Sequence, residues 1–344
     1  MRQSYKNIFL TLWSVLLILG ACDIDSHQPP LVTLTGFTMV TTYTIKINEP
    51  QLIIDIPKIK NDIDSILTVI NDQMSTYQDD SELSRINQAR TNDWITISDD
   101  LFTVISHAIN ISDLSNGAFD ITVGPVVNLW GFGPDPRPEQ VPEEQLIQSA
   151  LDNVGYQYIH LRESPPALKK DRGEIYIDLS GIVPGFAVDK IAAYLEQHTI
   201  QNYMVELGGE IKAKGVNPDR KPWQIGIEKP VTNQRSVQRI INLDNIGLGT
   251  SGDYRNYFVQ DGIHYSHIID PKTGKPTTHR LASVTVLHSS TMIADALAVA
   301  LFVMGPVSGI QFAQKENLAV IFIIRDKEGF TEEMTDIFKK YIHQ

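Results

Sequence analysis

The sequence predicts an α+β fold: a single intertwined domain of mixed and antiparallel sheets with flanking helices, gathered in one or two lobes. Three observations carry that prediction. Stretches rich in β-branched residues, such as "TGFTMVTTYTIKI" and "LAVIFIIRD", stand near both ends of the chain, as strands would. Stretches with apolar residues at helical spacing are interleaved with them. No linker separates one half from the other, so strands and helices share one body. With 344 residues, 42% hydrophobic and 20% charged, the chain is long enough for a large core.

Residues 1–21 read as a targeting segment. Arg2 and Lys6 precede an apolar run, "NIFLTLWSVLLILGA", that is short for a membrane span, and small residues lead to Cys22, the only cysteine. The pattern resembles a bacterial lipoprotein signal, cut before Cys22, whose thiol is then lipidated. An uncleaved N-terminal anchor is the alternative. Residues 22–32 form the lipidated tether, and residues 33–344 the domain. The expected location is the bacterial cell envelope, lipid-anchored to the membrane and facing the periplasm. Asp23 resembles an inner-membrane retention signal. With Cys22 lipidated, disulfides, thiol catalysis and cysteine-bound zinc are excluded. A net charge of −12 argues against nucleic acid as a partner.

In the body, "TGFTMVTTYTIKI" predicts a strand. The spacing of Ile59, Ile63, Ile66, Leu67 and Ile70 predicts a helix from Ile56 to Tyr77. "DSEL" can start a short helix after a loop. Residues 98–115 predict a helix capped by Ser98, with Asp99 and Asp100 suiting its N-terminal dipole. Residues 116–139, rich in glycine and proline, predict an ordered loop beside a site. Residues 139–152 predict a helix, and "EIYIDLSGIVPGFAVDKIAAYLEQHT" predicts strand, turn, helix. Two strands flank Gly208 and Gly209, a third lies in "WQIGIEKP", and a meander follows to residue 271. "ASVTVLHSS" predicts a strand feeding the helix "TMIADALAVALFVMG", and "LAVIFIIRD" a late strand.

Asp295 is the only charge in that apolar helix, and a buried carboxylate is costly unless something pairs with it. The turn after Asp178, with Gly181, Pro184 and Gly185, presents N–H groups at a helix start, which suits an anion or serves only as a tight turn. "YSHIIDPKTGKP" places His267 in a strand before a turn. "ELGGE" permits close backbone approach to a ligand. Aromatic residues near Tyr77, Phe119 and Trp130 can stack on a flat ring or fill core. The Walker A, Rossmann and G-x-S-x-G patterns are absent.

Together, "TMVTTYTIKI", "MSTYQDDSELSRIN", "GAFDITVGPVVNLWGFGP", "IDLSGIVPGFAVDK", "VELGGEIKAKGVNP", "PWQIGIEKP", "TSGDYRNYF", "SHIIDPKTGKP" and "ADALAVALFVMG" resemble the ApbE family of FAD:protein FMN transferases over residues 33–343. The resemblance implies an ApbE-like fold and a Mg2+-dependent enzyme. Such an enzyme moves FMN from FAD onto a Thr or Ser hydroxyl of an extracytoplasmic subunit of a membrane redox flavoprotein, releasing AMP. It implies Asp295 as magnesium ligand, with the Gly181 carbonyl as a second. Met39, Tyr77, Ala118, Phe119, Asp120, Asp178 and Ile269 would contact the flavin nucleotide, and His267 would take the acceptor's proton.

The chain departs from that pattern in three places. Val299 stands four residues after Asp295, where the family carries threonine, a ligand position on the same helix face; Ala298 precedes it. Pro184 stands at a cofactor-binding position usually held by lysine, and Val40 where the family has glycine. A water or Thr291 can replace the missing hydroxyl. Two other functions stay open: a flavin-binding lipoprotein that has lost transfer, and an FAD diphosphatase giving FMN and AMP.

Overall fold

The computed structural model describes residues 31–53, 55–134, 140–231 and 236–343. The targeting segment, Cys22 and most of the tether lie outside the described residues. The frame is an eight-stranded sheet made of β1 (Val32–Thr38), β2 (Thr41–Ile47), β3 (Tyr203–Leu207), β4 (Glu210–Lys214), β5 (Ile246–Gly252), β6 (Leu281–His288), β7 (Ala319–Asp326) and β8 (Gly329–Met334). These strands stand side by side in chain order, each antiparallel to the next. The sheet is therefore a meander from which the chain makes excursions before returning to the next position.

The longest excursion, between β2 and β3, holds α1 (Ile56–Met74), α2 (Glu82–Gln88), α3 (Asp99–Leu114), α4 (Gly124–Leu129), α5 (Glu144–Leu151) and α6 (Val183–Gln197). It also contains a small sheet of Ile95–Thr96, Ala167–Lys170 and Ile159–Arg162. The strands Trp223–Glu228 and Val237–Leu243 pair with each other between β4 and β5. Two short hairpins, Tyr257–Gln260 with Ile263–Ser266 and Ile269–Asp270 with Lys275–Pro276, precede β6. The helix α7 (Thr291–Lys315) joins β6 to β7.

Burial explains the layering. On one face Tyr43, Ile45, Val205 and Leu207 join apolar residues of α1, α3, α6 and α7 in the main core. On the other face Leu248, Leu287, Ile321 and Ile323 pack on Trp223, Ile225, Ile241 and Leu243. The run "AVIFII" in β7 is buried on both faces, which is why it lacks alternation. A third cluster joins Val126, Trp130, Ile147, Phe258 and Ile269. The α+β expectation holds, and the Ser98 and Ser81 caps are made. Among the described residues only α7 is long and apolar enough to cross a membrane, but 56% of its apolar window is buried in the protein, as in a core helix. It bends at Gly305 (φ 74°), just before Pro306.

Four expectations are corrected. "TGFTMVTTYTIKI" is a hairpin, because Met39 (φ 49°) and Val40 (φ 57°) both adopt the left-handed conformation of a tight two-residue turn. Residues 175–179 form no strand; Asn87 and the Ile121 carbonyl satisfy the backbone of Ile177 and Asp178 instead. The loop after α3 contains α4. His267 lies between strands rather than in one.

Candidate functional site

The register of the sheet gathers the site at one end. Tyr43 pairs with Leu207, Leu248 with Ile211, and Gly252 with Ser283. The Met39–Val40 turn, the Gly208–Gly209 turn, the end of β5 and the start of β6 therefore share that end. A cavity of about 580 Å³ opens there, a size that accommodates a small-molecule cofactor. Its wall includes the turn residues Gly208 and Gly209, Tyr77 after α1, and Ala118, Phe119 and Asp120 after α3. Asp178 and Gly181 come from the turn before α6, Asp295 and Val299 from α7, and His267 and Ile269 from the hairpins before β6.

Asp295 reaches this wall because two glycines let backbones meet. A Cβ on Gly249 would stand 2.5 Å from the Asp295 nitrogen, and one on Gly185 would stand 2.5 Å from the Thr291 oxygen. α7 thus lies directly on β5 and on the start of α6. The N–H of Gly185 donates to Asp295 Oδ2 at 3.0 Å, so the anion at the N-terminus of α6 is this carboxylate. Next to it, on the helix face of β4, Glu210 is also buried. Burial raises the pKa of both carboxyls, and the charge of Asp295 raises that of Glu210 further. Among the described residues neither carboxylate has an ion-pair partner.

The rest of the wall is acidic as well. Asp120, Asp178, Glu206 and Glu228 line it, and Arg255, paired with Glu228, is the one lysine or arginine among the described lining residues. Asp120 is committed to structure: Oδ1 accepts from the nitrogen and hydroxyl of Thr122, and Oδ2 from the Tyr156 nitrogen. Burial raises its pKa. Asp178 accepts from the Ser180 nitrogen; burial raises its pKa and, together with Asp178, that of the Tyr77 hydroxyl. His267 Nδ1 lies 3.0 Å from the Asn256 carbonyl. That contact requires a donor at Nδ1, which leaves the Nε2 lone pair free in the neutral ring. Burial lowers the His267 pKa, so the ring is neutral at pH 7.

Not every predicted residue meets the cavity. Met39 is half-buried against the main core at the hairpin tip, and Pro184 sits in the first turn of α6; neither is in the wall. The hydroxyl of Thr291 is buried without a partner and faces Gly247 rather than the cavity. Glu206, Glu210 and Asn256 escaped the sequence reading. The only signal for the first two is that they flank the Gly208–Gly209 turn.

A buried carboxylate, glycine turns and a neutral histidine around a cavity of this size mark a candidate enzyme active site. The ApbE family model matches residues 39–322. An FAD:protein FMN transferase of Vibrio cholerae is 46% identical over 337 residues, 98% of this chain and 99% of the relative. Its counterpart in Haemophilus influenzae is 46% identical and covers 94% of each chain. The solved flavin transferase ApbE from Vibrio cholerae aligns with a TM-score of 0.85 over 91% of this chain and 99% of its own, at 46% identity. An ApbE protein from Thermotoga maritima aligns with a TM-score of 0.82 at 29% identity, over 92% of this chain and 100% of its own. The chain belongs to the ApbE family.

Proposed function

We propose that this chain transfers FMN from FAD to a Thr or Ser hydroxyl of an extracytoplasmic flavoprotein subunit, with a magnesium ion, releasing AMP. The observation that carries the reading is Asp295, a buried carboxylate in the wall of an acidic cavity with Glu210 buried behind it and no counter-charge on either. A dinucleotide diphosphate entering that cavity would be repelled unless a cation came with it. The oxygens on offer suit a hard divalent ion: the Asp295 carboxylate and the Gly181 carbonyl both belong to residues of the cavity wall. Among the described residues no three His, Cys, Asp or Glu side chains cluster for a metal. Carbonyl, phosphate and water oxygens would therefore complete the shell, as magnesium permits. Val299 lines the same wall and supplies no oxygen, so a water would have to serve in its place.

When bound, the ion would stabilise negative charge on the diphosphate. His267 Nε2 accepts the proton of the acceptor hydroxyl, and the Asn256 carbonyl holds the ring in that tautomer. The hydroxyl oxygen forms a bond to the phosphorus of the FMN half, the P–O bond to the AMP half breaks, and AMP leaves with the bridging oxygen. Tyr77 and Phe119 offer apolar surface to the rings of the substrate. Lipidation at Cys22 would place the domain at the membrane that holds such acceptors.

The test is mass spectrometry of a purified acceptor flavin domain after incubation with the enzyme, FAD and MgCl2. The expected product is an FMN phosphoester on Thr or Ser with one AMP released per adduct. AMP formed equally without acceptor would support the diphosphatase. Intact FAD and an unmodified acceptor would leave flavin binding alone.

A further inference from the structure

We propose that the outer edge of β1 docks the acceptor protein, which adds an extended segment there as a ninth strand and so leads its hydroxyl to the cavity. This rests on the reading above that a protein hydroxyl is the acceptor.

β1 is the last strand of the sheet, and among the described residues no backbone pairs with its free edge. Natural proteins blunt such edges with charge, proline, bulges or a short strand, because unpaired N–H and C=O groups recruit another chain. β1 has none of these. Its seven residues, "VTLTGFT", carry no charge and no proline, and its register to β2 is unbroken from Val32 to Thr38. Thr33 and Thr35 are exposed, and Phe37 is 72% exposed. The opposite edge is defended: β8 carries Glu332 and Glu333, and Glu332 is held by Arg239 and Gln238 of the neighbouring hairpin.

Direction selects the occupant. β1 starts beside the tether and ends at the Met39–Val40 turn, at the cavity end of the sheet. There Thr38 Oγ1 accepts from Asn71 of α1 at 2.7 Å, and the chain leaving α1 runs on to Tyr77 in the cavity wall. An added strand would lie three strand spacings from β3, about 14 Å. Four or five extended residues, at roughly 3.3 Å each, bridge that span. An uncharged edge recognises main chain rather than charge. The segment it fits is therefore extended and β-prone, with the acceptor Thr or Ser about four or five residues beyond that end of the added strand which lies at the cavity.

The experiment uses an acceptor flavin domain that the wild type modifies. The double variant Thr35→Lys with Phe37→Lys is expected to raise the KM for that domain at least about tenfold, equivalent to about 1.4 kcal/mol. Its kcat at saturation and its FAD affinity by calorimetry should match wild type. Independently, adding the acceptor domain to wild type without FAD should slow hydrogen exchange at alternate amides of Val32–Thr38. An unchanged KM overturns the docking site while the transferase reading stands. So does protection that appears only elsewhere, or that grows with enzyme concentration alone, which would mean a second copy holds the edge. A wild type that modifies no acceptor domain overturns the transferase reading and the docking site with it.

Discussion

In the proposed transfer His267 and Asp295 hold separate roles, proton acceptor and ion ligand, and each can be probed without disturbing the other. Because burial lowers the His267 pKa, its free base persists below the ordinary histidine value of about 6.5. Transfer should therefore be flat from pH 8 down to about 6.5 and fall only beneath that. The stability linkage has the same sign. The unfolded chain binds this proton at higher pH than the folded chain, so its contribution is complete above about 6.5 and is lost as pH falls through the folded value. His267→Gln should slow transfer about 10²- to 10⁴-fold with FAD binding retained, read from single-turnover adduct formation and calorimetry. Asp295→Asn keeps an oxygen for the Gly185 N–H but removes the charge that faces Glu210. It should fold with an unchanged or higher Tm yet show no magnesium uptake by calorimetry. A wild-type magnesium isotherm would remove Asp295 from the ion's shell. The sequence exposed Asp295 because it is one charge in an apolar helix. It hid Glu210, which reads as an ordinary strand acid beside Lys212 and Lys214 until α7 is laid across β5.

The elements follow local rules except where two of them touch. Ser81, Ser98 and Ser290 cap their helices from side-chain oxygens three residues before the bonded N–H groups, so those starts were legible. The β1–β2 turn was not. A turn with two left-handed residues normally announces itself with Asn or Gly, and this one uses Met39 and Val40. Val40 is 67% exposed, so its side chain packs on little while its backbone bears a left-handed cost of roughly 1–2 kcal/mol. Val40→Gly should raise stability by about 1 kcal/mol after the entropy of glycine is subtracted, read as a higher urea midpoint at unchanged slope. Gly249→Ala should do the reverse. Its Cβ would meet the Asp295 backbone at 2.5 Å, forcing α7 outward at a cost of about 1–3 kcal/mol. Magnesium affinity should fall with it, because the displaced backbone carries the carboxylate.

At the scale of the whole molecule, chain-order pairing in the sheet is a consequence of returning excursions, and nothing in strand periodicity specifies where each excursion returns. The long segment between β2 and β3 shows what fixes it. Lys170 is fully buried there, and its Nζ lies 2.9–3.2 Å from the carbonyls of Ile86, Ala89, Gly173 and Ile175. Burial pushes its pKa down to about 8, so it remains charged at pH 7 with three N–H donors for four acceptors. Two of those carbonyls end α2, and the other two begin the run that delivers Asp178 to the cavity. One ammonium thus ties α2 to the site's own backbone, across 84 residues of chain. The second lysine of "ALKKDRGE" gives no hint of this, because its neighbours Lys169 and Arg172 are not buried. Lys170→Met preserves the aliphatic stem but strands the four carbonyls in a dry interior. Each unsatisfied acceptor costs about 1–3 kcal/mol, and some of that is recovered by water entry. The variant should therefore lose at least about 3 kcal/mol of unfolding free energy in urea titration. Hydrogen exchange should speed up first around residues 86–89 and 173–178. A loss confined to the surface range, under about 0.5 kcal/mol, would show that this lysine does not bind the excursion to the site.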